Sequence, residues 1–309
     1  MQTRTVGSLD ATVVGLGCNN FGTRIDADAA ASVVRAALET GVRFFDTADI
    51  YGGGRSEEFL GRALGGRRRE AVIATKFGKP MPDGSRGARP AYVRSAAEAS
   101  LRRLGTDVID LYQLHEPDPS VPVAETLGAL QDLVAAGKVR EIGCSNVSAA
   151  EMGDADDTAL ANRTARFVSV QNEYSLLDRG AEEGVLPECR RRGIAFLPYY
   201  PLASGLLTGK YRTGAPAPEG SRLSGGRYAG ELSDDNLRAV DALRAFAESR
   251  GRSLLELAFG WLLSHPVVAS VIAGATRPGQ VEANAAAAGW KLGEEELAAV
   301  DRIVPRRRA

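Results

Sequence analysis

Asp46, Tyr51, Lys76 and His115 each stand at or just beyond the end of a short apolar run. Together they offer a carboxylate, a phenol, an ammonium and an imidazole, a set that can transfer protons if brought to one surface. A phenol with an ordinary pKa of about 10 is a poor acid at neutral pH until a neighbouring cation favours its phenolate. Lys76, which closes Ala71-Val-Ile-Ala-Thr-Lys76, can be that cation, and Asp46 can offset the cost of burying it. The chain has five lysines against 33 arginines, so lysine was not the default basic choice here. Its compact, shiftable charge suits tuning better than a guanidinium. His115, which closes Asp110-Leu-Tyr-Gln-Leu-His115, is one of two histidines. Spacing alone leaves open a structural Asp–Lys pair beside a core tyrosine, and a lone histidine at a strand end is more often structural than catalytic. Four such residues in equivalent places argue for chemistry.

Those places are set by an alternation of short apolar runs with segments of helical period, the pattern of parallel strands joined by crossover helices. The runs are 13–18, 42–46, 71–76, 108–115, 141–145, 167–173, 195–199 and 267–273. Eight of them predict an α/β fold, a closed (β/α)₈ TIM barrel with extra helices near the C-terminus, in which strand ends converge on one face. Apolar stripes at Ala30, Val33, Val34, Ala37 and Leu38, at Val93, Ala97, Leu101 and Leu104, and at Val123, Leu127, Leu130 and Val134 predict helices that stop at Gly41, Gly105 and Gly137. Residues 4–13 read as an N-terminal β-hairpin with its turn at Ser8 to Asp10, placed to close one end of the barrel. Between 203 and 233 Gly, Ser, Pro and Arg dominate and no apolar period survives, which predicts a mobile cofactor or substrate loop rather than a linker. The expected organisation is one barrel domain over residues 1–309. An open doubly wound sheet fits less well, because Gly15-Leu-Gly17-Cys-Asn-Asn is a poor match to a dinucleotide-binding glycine motif.

With 38 basic and 39 acidic side chains the net charge is −1, which argues against nucleic acid or an acidic membrane as bulk partner. The N-terminus carries no long apolar segment behind a basic head, and no stretch approaches about 18 uninterrupted apolar residues. A cytoplasmic protein is expected. Cys18, Cys144 and Cys189 are odd in number and widely spaced, so neither a disulfide framework nor a metal site is expected. The tail from Pro305 reads as a solvated terminus.

Five stretches in order make the chain resemble the aldo-keto reductase family: Gly41-Val-Arg-Phe-Phe-Asp-Thr-Ala-Asp-Ile-Tyr51-Gly, Ala74-Thr-Lys76, residues 100–115, Gly137-Lys-Val-Arg-Glu-Ile-Gly-Cys-Ser-Asn146 and Gln171-Asn-Glu-Tyr174. The resemblance spans about residues 3 to 300. It implies a nicotinamide-dependent reductase of aldehydes or ketones in which Tyr51 is the general acid, Lys76 lowers its pKa, Asp46 holds Lys76 and His115 orients and polarises the carbonyl. It further implies that Ser145, Asn146 and Gln171 meet the nicotinamide carboxamide, that Tyr199 stacks on the ring, and that Gly17 and Asp46 lie against the cofactor. Leu202, Ser204, Gly205 and Leu207 follow the pyrophosphate. The adenosine end falls to Gly274, Thr276, Arg277, Gln280, Glu282 and Asn284. Tyr200 replaces a more usual serine, which puts that serine's contact in doubt and makes Tyr200 a candidate pocket wall. Gly274-Ala275 and Gln280 replace residues that clamp a 2′-phosphate, leaving Arg277 as the cation that favours NADPH, with NAD possible. The partner is then a small-molecule carbonyl or alcohol. Two alternatives share the tetrad: an NAD-linked sugar or alcohol dehydrogenase, and a regulatory barrel resembling channel beta subunits. Sequence does not choose the substrate or the oligomeric state.

Overall fold

The structure is a computed structural model that describes residues 1–219, 221–224 and 230–305. It opens with an antiparallel hairpin, β1 (Thr3–Val6) and β2 (Leu9–Thr12). Val6 pairs with Leu9, so the turn is Gly7-Ser8 and Asp10 lies within β2 opposite Thr5. This corrects the expected turn at Ser8 to Asp10. A two-residue hairpin loop needs positive φ, which Gly7 supplies at 59°.

The apolar runs form β3 (Val14–Gly17), β4 (Phe44–Asp46), β5 (Val72–Phe77), β6 (Ile109–Leu114), β7 (Val139–Ser145), β8 (Phe167–Gln171), β9 (Ala195–Phe196) and β10 (Val271–Gly274). All eight are parallel, in the order β10-β3-β4-β5-β6-β7-β8-β9. Phe196 closes the ring: its N–H donates to Val267 O at 2.8 Å, and its carbonyl accepts from Ala269 N at 2.9 Å. The expected (β/α)₈ barrel is therefore present.

β9 and β10 fall furthest short of the expected runs. β9 stops at Phe196 rather than 199 because Pro198 has no N–H for the ladder, though Leu197 N and Tyr199 N still donate to Val170 O and Asn172 O. β10 begins at Val271 because residues 267–269 are spent on Phe196. Inside the barrel, Phe44, Ala74, Leu111, Leu197 and Ile272 pack together with Val6, Leu9 and Ala11 of the hairpin. Ser8 N also donates to Glu141 Oε1 of β7 at 2.7 Å. The hairpin thus caps the barrel's N-terminal end.

Eight helices cross between strands or follow the last one: α1 (Ala27–Glu39), α2 (Arg55–Leu64), α3 (Pro90–Leu104), α4 (Val123–Ala135), α5 (Ala149–Asn162), α6 (Val185–Arg192), α8 (Leu254–Leu263) and α9 (Pro278–Ala287). α7 (Asp234–Glu248) and α10 (Glu294–Ile303) are extra. The predicted stops hold, with Gly105 at φ 62° ending α3, and Gly41 and Gly137 following α1 and α4. α2 approaches α3 closely at Gly61, where a Cβ would lie 2.2 Å from Leu104 O.

The segment 203–233 is less bare than its composition suggests. 3₁₀ turns cover Ala203–Thr208 and Arg222–Ser224, and Leu206, Leu207, Tyr211 and Leu223 are buried. The expected mobile loop falls partly on 220 and 225–229, and the expected solvated tail on 306–309, all outside the described residues. Among the described residues no helix is long and apolar enough to cross a membrane.

Candidate active site

The carboxyl ends of the strands carry the polar residues. Gly17, Asp46, Ser145, Gln171 and Gly274 are the last residues of β3, β4, β7, β8 and β10. Lys76 is next to last in β5, and His115 directly follows β6. Because side chains alternate along a strand, each of these positions looks into the mouth of the barrel.

Asp46 is the hub. Lys76 Nζ donates to its Oδ2 at 2.6 Å and to Thr47 O at 2.9 Å, both side chains being almost fully buried. On the other oxygen, Oδ1, converge the amides of Gln171 at 2.8 Å and Gln113 at 3.3 Å. Ser145 Oγ donates to Gln171 O at 2.7 Å. Asn146 Nδ2 donates to His115 O at 2.8 Å and Ser145 Oγ at 3.1 Å, and its Oδ1 accepts from Tyr199 OH at 2.8 Å. These bonds hold Asn146 at φ 58°, a left-handed conformation that asparagine tolerates. One network therefore joins Asp46, Lys76, Gln171, Ser145, Asn146 and Tyr199 and reaches the backbone of His115. Tyr51 lies over it, its ring centroid 5.2 Å from Lys76 Nζ and 5.8 Å from the His115 ring, edge to face.

Burial sets the charge states. It pushes the Tyr51 phenol above its ordinary value, with Lys76 pulling the other way. The expected downward pull of Lys76 is present but outweighed. Burial alone would lower Lys76; Asp46 and then Tyr51 more than offset it, so the ammonium is held above its ordinary range. Burial, then Lys76 and Lys79, take His115 down to about 2, leaving a neutral imidazole. Its Nδ1 is buried without a protein partner.

The structure treats the expected cofactor residues in two ways. Ser145, Asn146, Gln171 and Tyr199 sit side by side, with one amide proton of Gln171 spent on Asp46. Leu202 O accepts from both Gly205 N and Leu207 N, so those two amides are committed within the turn. The Leu207 side chain is in the core, and Ser204 is buried at φ 56°. At the far side Gly17 and Gly274 pair in register, where a side chain on Gly274 would meet Asn20 and Asn19 at 3.2 and 3.3 Å. Gln280 Oε1 accepts from Thr276 N and Oγ1, which ties it to the start of α9. Arg277 and Glu282 are exposed and Asn284 is buried.

Three neighbours were not singled out from sequence as site residues. Gln113 stands two residues before His115, and the period of a strand would have put it on the same face. Asn20, expected only within a pocket loop, donates to Ala275 O at 3.3 Å and accepts from Arg222, whose guanidinium lies 5.6 Å from the Tyr200 ring. Asp49, between Asp46 and Tyr51, is buried, and among the described residues neither carboxyl oxygen meets a well-formed hydrogen-bond partner.

Fold and site define a (β/α)₈-barrel protein with a buried polar network centred on the Asp46–Lys76 pair at its C-terminal mouth. A family model described as the aldo/keto reductase family matches residues 13–305. The aldo-keto reductase YhdN of Bacillus subtilis (strain 168) is 37% identical over 307 residues, 96% of this chain and 91% of that protein. A probable voltage-gated potassium channel subunit beta from Arabidopsis thaliana is 37% identical over 274 residues, covering 85% of this chain and 83% of that one. Among solved structures, the glycerol dehydrogenase AKR11B4 from Gluconobacter oxydans superposes with a TM-score of 0.85 at 33% identity, over 98% of this chain and 95% of that chain. The holo form of aldo-keto reductase AKR11C1 from Bacillus halodurans gives 0.81 at 34% identity, over 99% and 97%. The chain belongs to the aldo/keto reductase family, whose members are NAD(P)-dependent oxidoreductases acting on small-molecule carbonyl compounds.

Proposed function

We propose that this protein reduces an aldehyde or ketone to the alcohol with NADPH, residues 1–309 acting as one catalytic unit and Tyr51 as the general acid. The observation that carries this reading is the buried Lys76–Asp46 pair at 2.6 Å with Lys76 Nζ 5.2 Å from the Tyr51 ring. As the phenol gives its proton to the carbonyl oxygen, negative charge grows on the Tyr51 oxygen beside a fixed ammonium. Asp46, held by Gln171, keeps Lys76 charged and in place. His115 is neutral, so it can orient the carbonyl oxygen through an N–H without competing as the acid.

The residues at the mouth fit a nicotinamide cofactor. Ser145, Asn146 and Gln171 present hydroxyl and amide groups beside the Tyr199 ring, and Gly17 and Gly274 leave the wall between β3 and β10 without side chains. When bound, the nicotinamide supplies the hydride. Arg277, exposed at the N-cap of α9, is the cation that would meet a 2′-phosphate, which supports NADPH over NADH. The likeness to a glycerol dehydrogenase supports a second reading, oxidation of a polyol with the same groups run in reverse and Tyr51 as base.

The test is Tyr51→Phe, assayed by nicotinamide absorbance with both cofactors against aldehydes, ketones and polyols in both directions. Turnover is expected to fall by roughly 10²–10⁴, the worth of a positioned general acid, while the cofactor Kd stays within about twofold. Near wild-type kcat in the Phe variant would remove Tyr51 from the role.

A further inference from the structure

Two carboxamides share one oxygen of Asp46. Gln171 makes the short bond to Oδ1 and Gln113 the long one, at 2.8 and 3.3 Å, while Lys76 holds Oδ2. Gln171 is also the residue expected to turn toward the nicotinamide carboxamide. Gln113 lies deeper, fully buried, in register with Lys76 on β5 and with Gly143 on β7. Its place depends on that glycine: a Cβ on residue 143 would come within 3.2 Å of Gln113 Cγ and 2.4 Å of Ser169 Oγ. Among the described residues Gln113 Oε1 has no hydrogen-bond partner, and the side chain's one hydrogen bond is the donation to Asp46. A buried amide costs free energy unless its groups are paired, and packing alone would be served by an apolar side chain.

We propose that Gln113 is a positioning residue for the proton-transfer site, the donor that keeps the Asp46 carboxylate fixed on Lys76 when Gln171 engages the cofactor. This rests on the reading of Asp46, Lys76 and Tyr51 given above. A donor on Asp46 Oδ1 draws in the negative charge that opposes a phenolate at Tyr51. The titratable groups facing the pair are Lys76, Tyr51, His115 and Cys18, the first three already described and Cys18 a buried thiol held well above its ordinary range by burial, then by Asp46. Gln113 has no titratable group of its own, so replacing it changes the field at Tyr51 without removing a reacting group.

The experiment titrates Tyr51 directly by its phenolate absorbance, as the difference between each protein and its Tyr51→Phe counterpart, and needs no substrate. Gln113→Met keeps the volume and removes the donor. It is expected to move the titration of Tyr51 to higher pH by about half to one unit, and to lower turnover with NADPH roughly tenfold while cofactor Kd is unchanged. Gln113→Glu keeps the size and adds a carboxyl. Ionised, it raises Tyr51 further; protonated, its O–H can donate to Asp46, so turnover recovers on acidification. A Tyr51 titration that coincides with wild type in the Met variant overturns the inference, as does an unchanged pH profile in the Glu variant. Should one variant fail to fold, the other decides. Failure of the carbonyl-reductase reading would show separately, as a wild type without turnover or a Tyr51→Phe variant that retains it.

Discussion

A buried ionisable side chain is informative when its charge state differs from what water would give it, and Asp49 is such a residue. Burial, followed by repulsion from Glu57, pushes its carboxyl from an ordinary 3.8 up to about 7. Between those values the folded protein holds a proton that the unfolded chain has released. The contribution to stability is therefore complete below about pH 4 and is lost as pH rises through 7. Asp49→Asn cannot ionise, so its melting temperature is expected to match wild type near pH 4 and to exceed it by several degrees at pH 8. Equal melting temperatures at both values would show that Asp49 ionises freely. Arg277 poses a simpler question. With a 2′-phosphate as its partner, Arg277→Ala is expected to raise the Kd for NADPH by about 10–100-fold, the worth of a charge-assisted hydrogen bond, and to leave NADH nearly unaffected. Equal losses for both cofactors would unseat Arg277 as the phosphate ligand. Asp46, Tyr51, Lys76 and His115 were legible in sequence because each sits in a distinctive stretch. Gln113 and Asp49 were passed over: strand period puts Gln113 on the face of His115, but an interior glutamine or a second aspartate in a loop has no assigned chemistry until the partners around it are known.

At the scale of elements, three helix stops were legible where glycine supplies a left-handed residue, at Gly41, Gly105 and Gly137, while the same device at Gly193 after α6 was passed over. Strand ends were less so at β9 and β10, where one proline and one barrel-closing bridge decide the ladder. Neither leaves a trace in hydrophobic period. Gly61 is another such case. Within α2 it looks like a plain weakness of the helix, yet it lets the helix sit against the carbonyl that ends α3, where an added Cβ would lie only 2.2 Å from Leu104 O. A backbone oxygen cannot rotate away as a side chain can. Gly61→Ala is expected to destabilise by about 1–3 kcal/mol, the range for overpacking, despite alanine's better helix propensity. Chemical denaturation is the check, and a stabilised variant would show that α2 can shift freely on α3.

For the molecule as a whole, segment 203–233 carries local order that its composition does not announce. Gly, Ser, Pro and Arg dominate it, yet Leu206, Leu207, Tyr211 and Leu223 are buried, too few to register as a period. The hairpin was read correctly as a cap because its alternating residues had no other surface to bury. The same closure carries a consequence for how the protein is made. β3, residues 14–17, is completed only by β10, residues 271–274, so the wall between Gly17 and Gly274 joins nearly the two ends of the chain. On a ribosome Asp46, Tyr51, Lys76 and His115 would emerge long before the strand that closes the ring around them. A nascent chain stalled or truncated before residue 271 would hold Asp46, Tyr51, Lys76 and His115 with β3 still an open edge, and synthesis of β10 is the step that closes the ring around them.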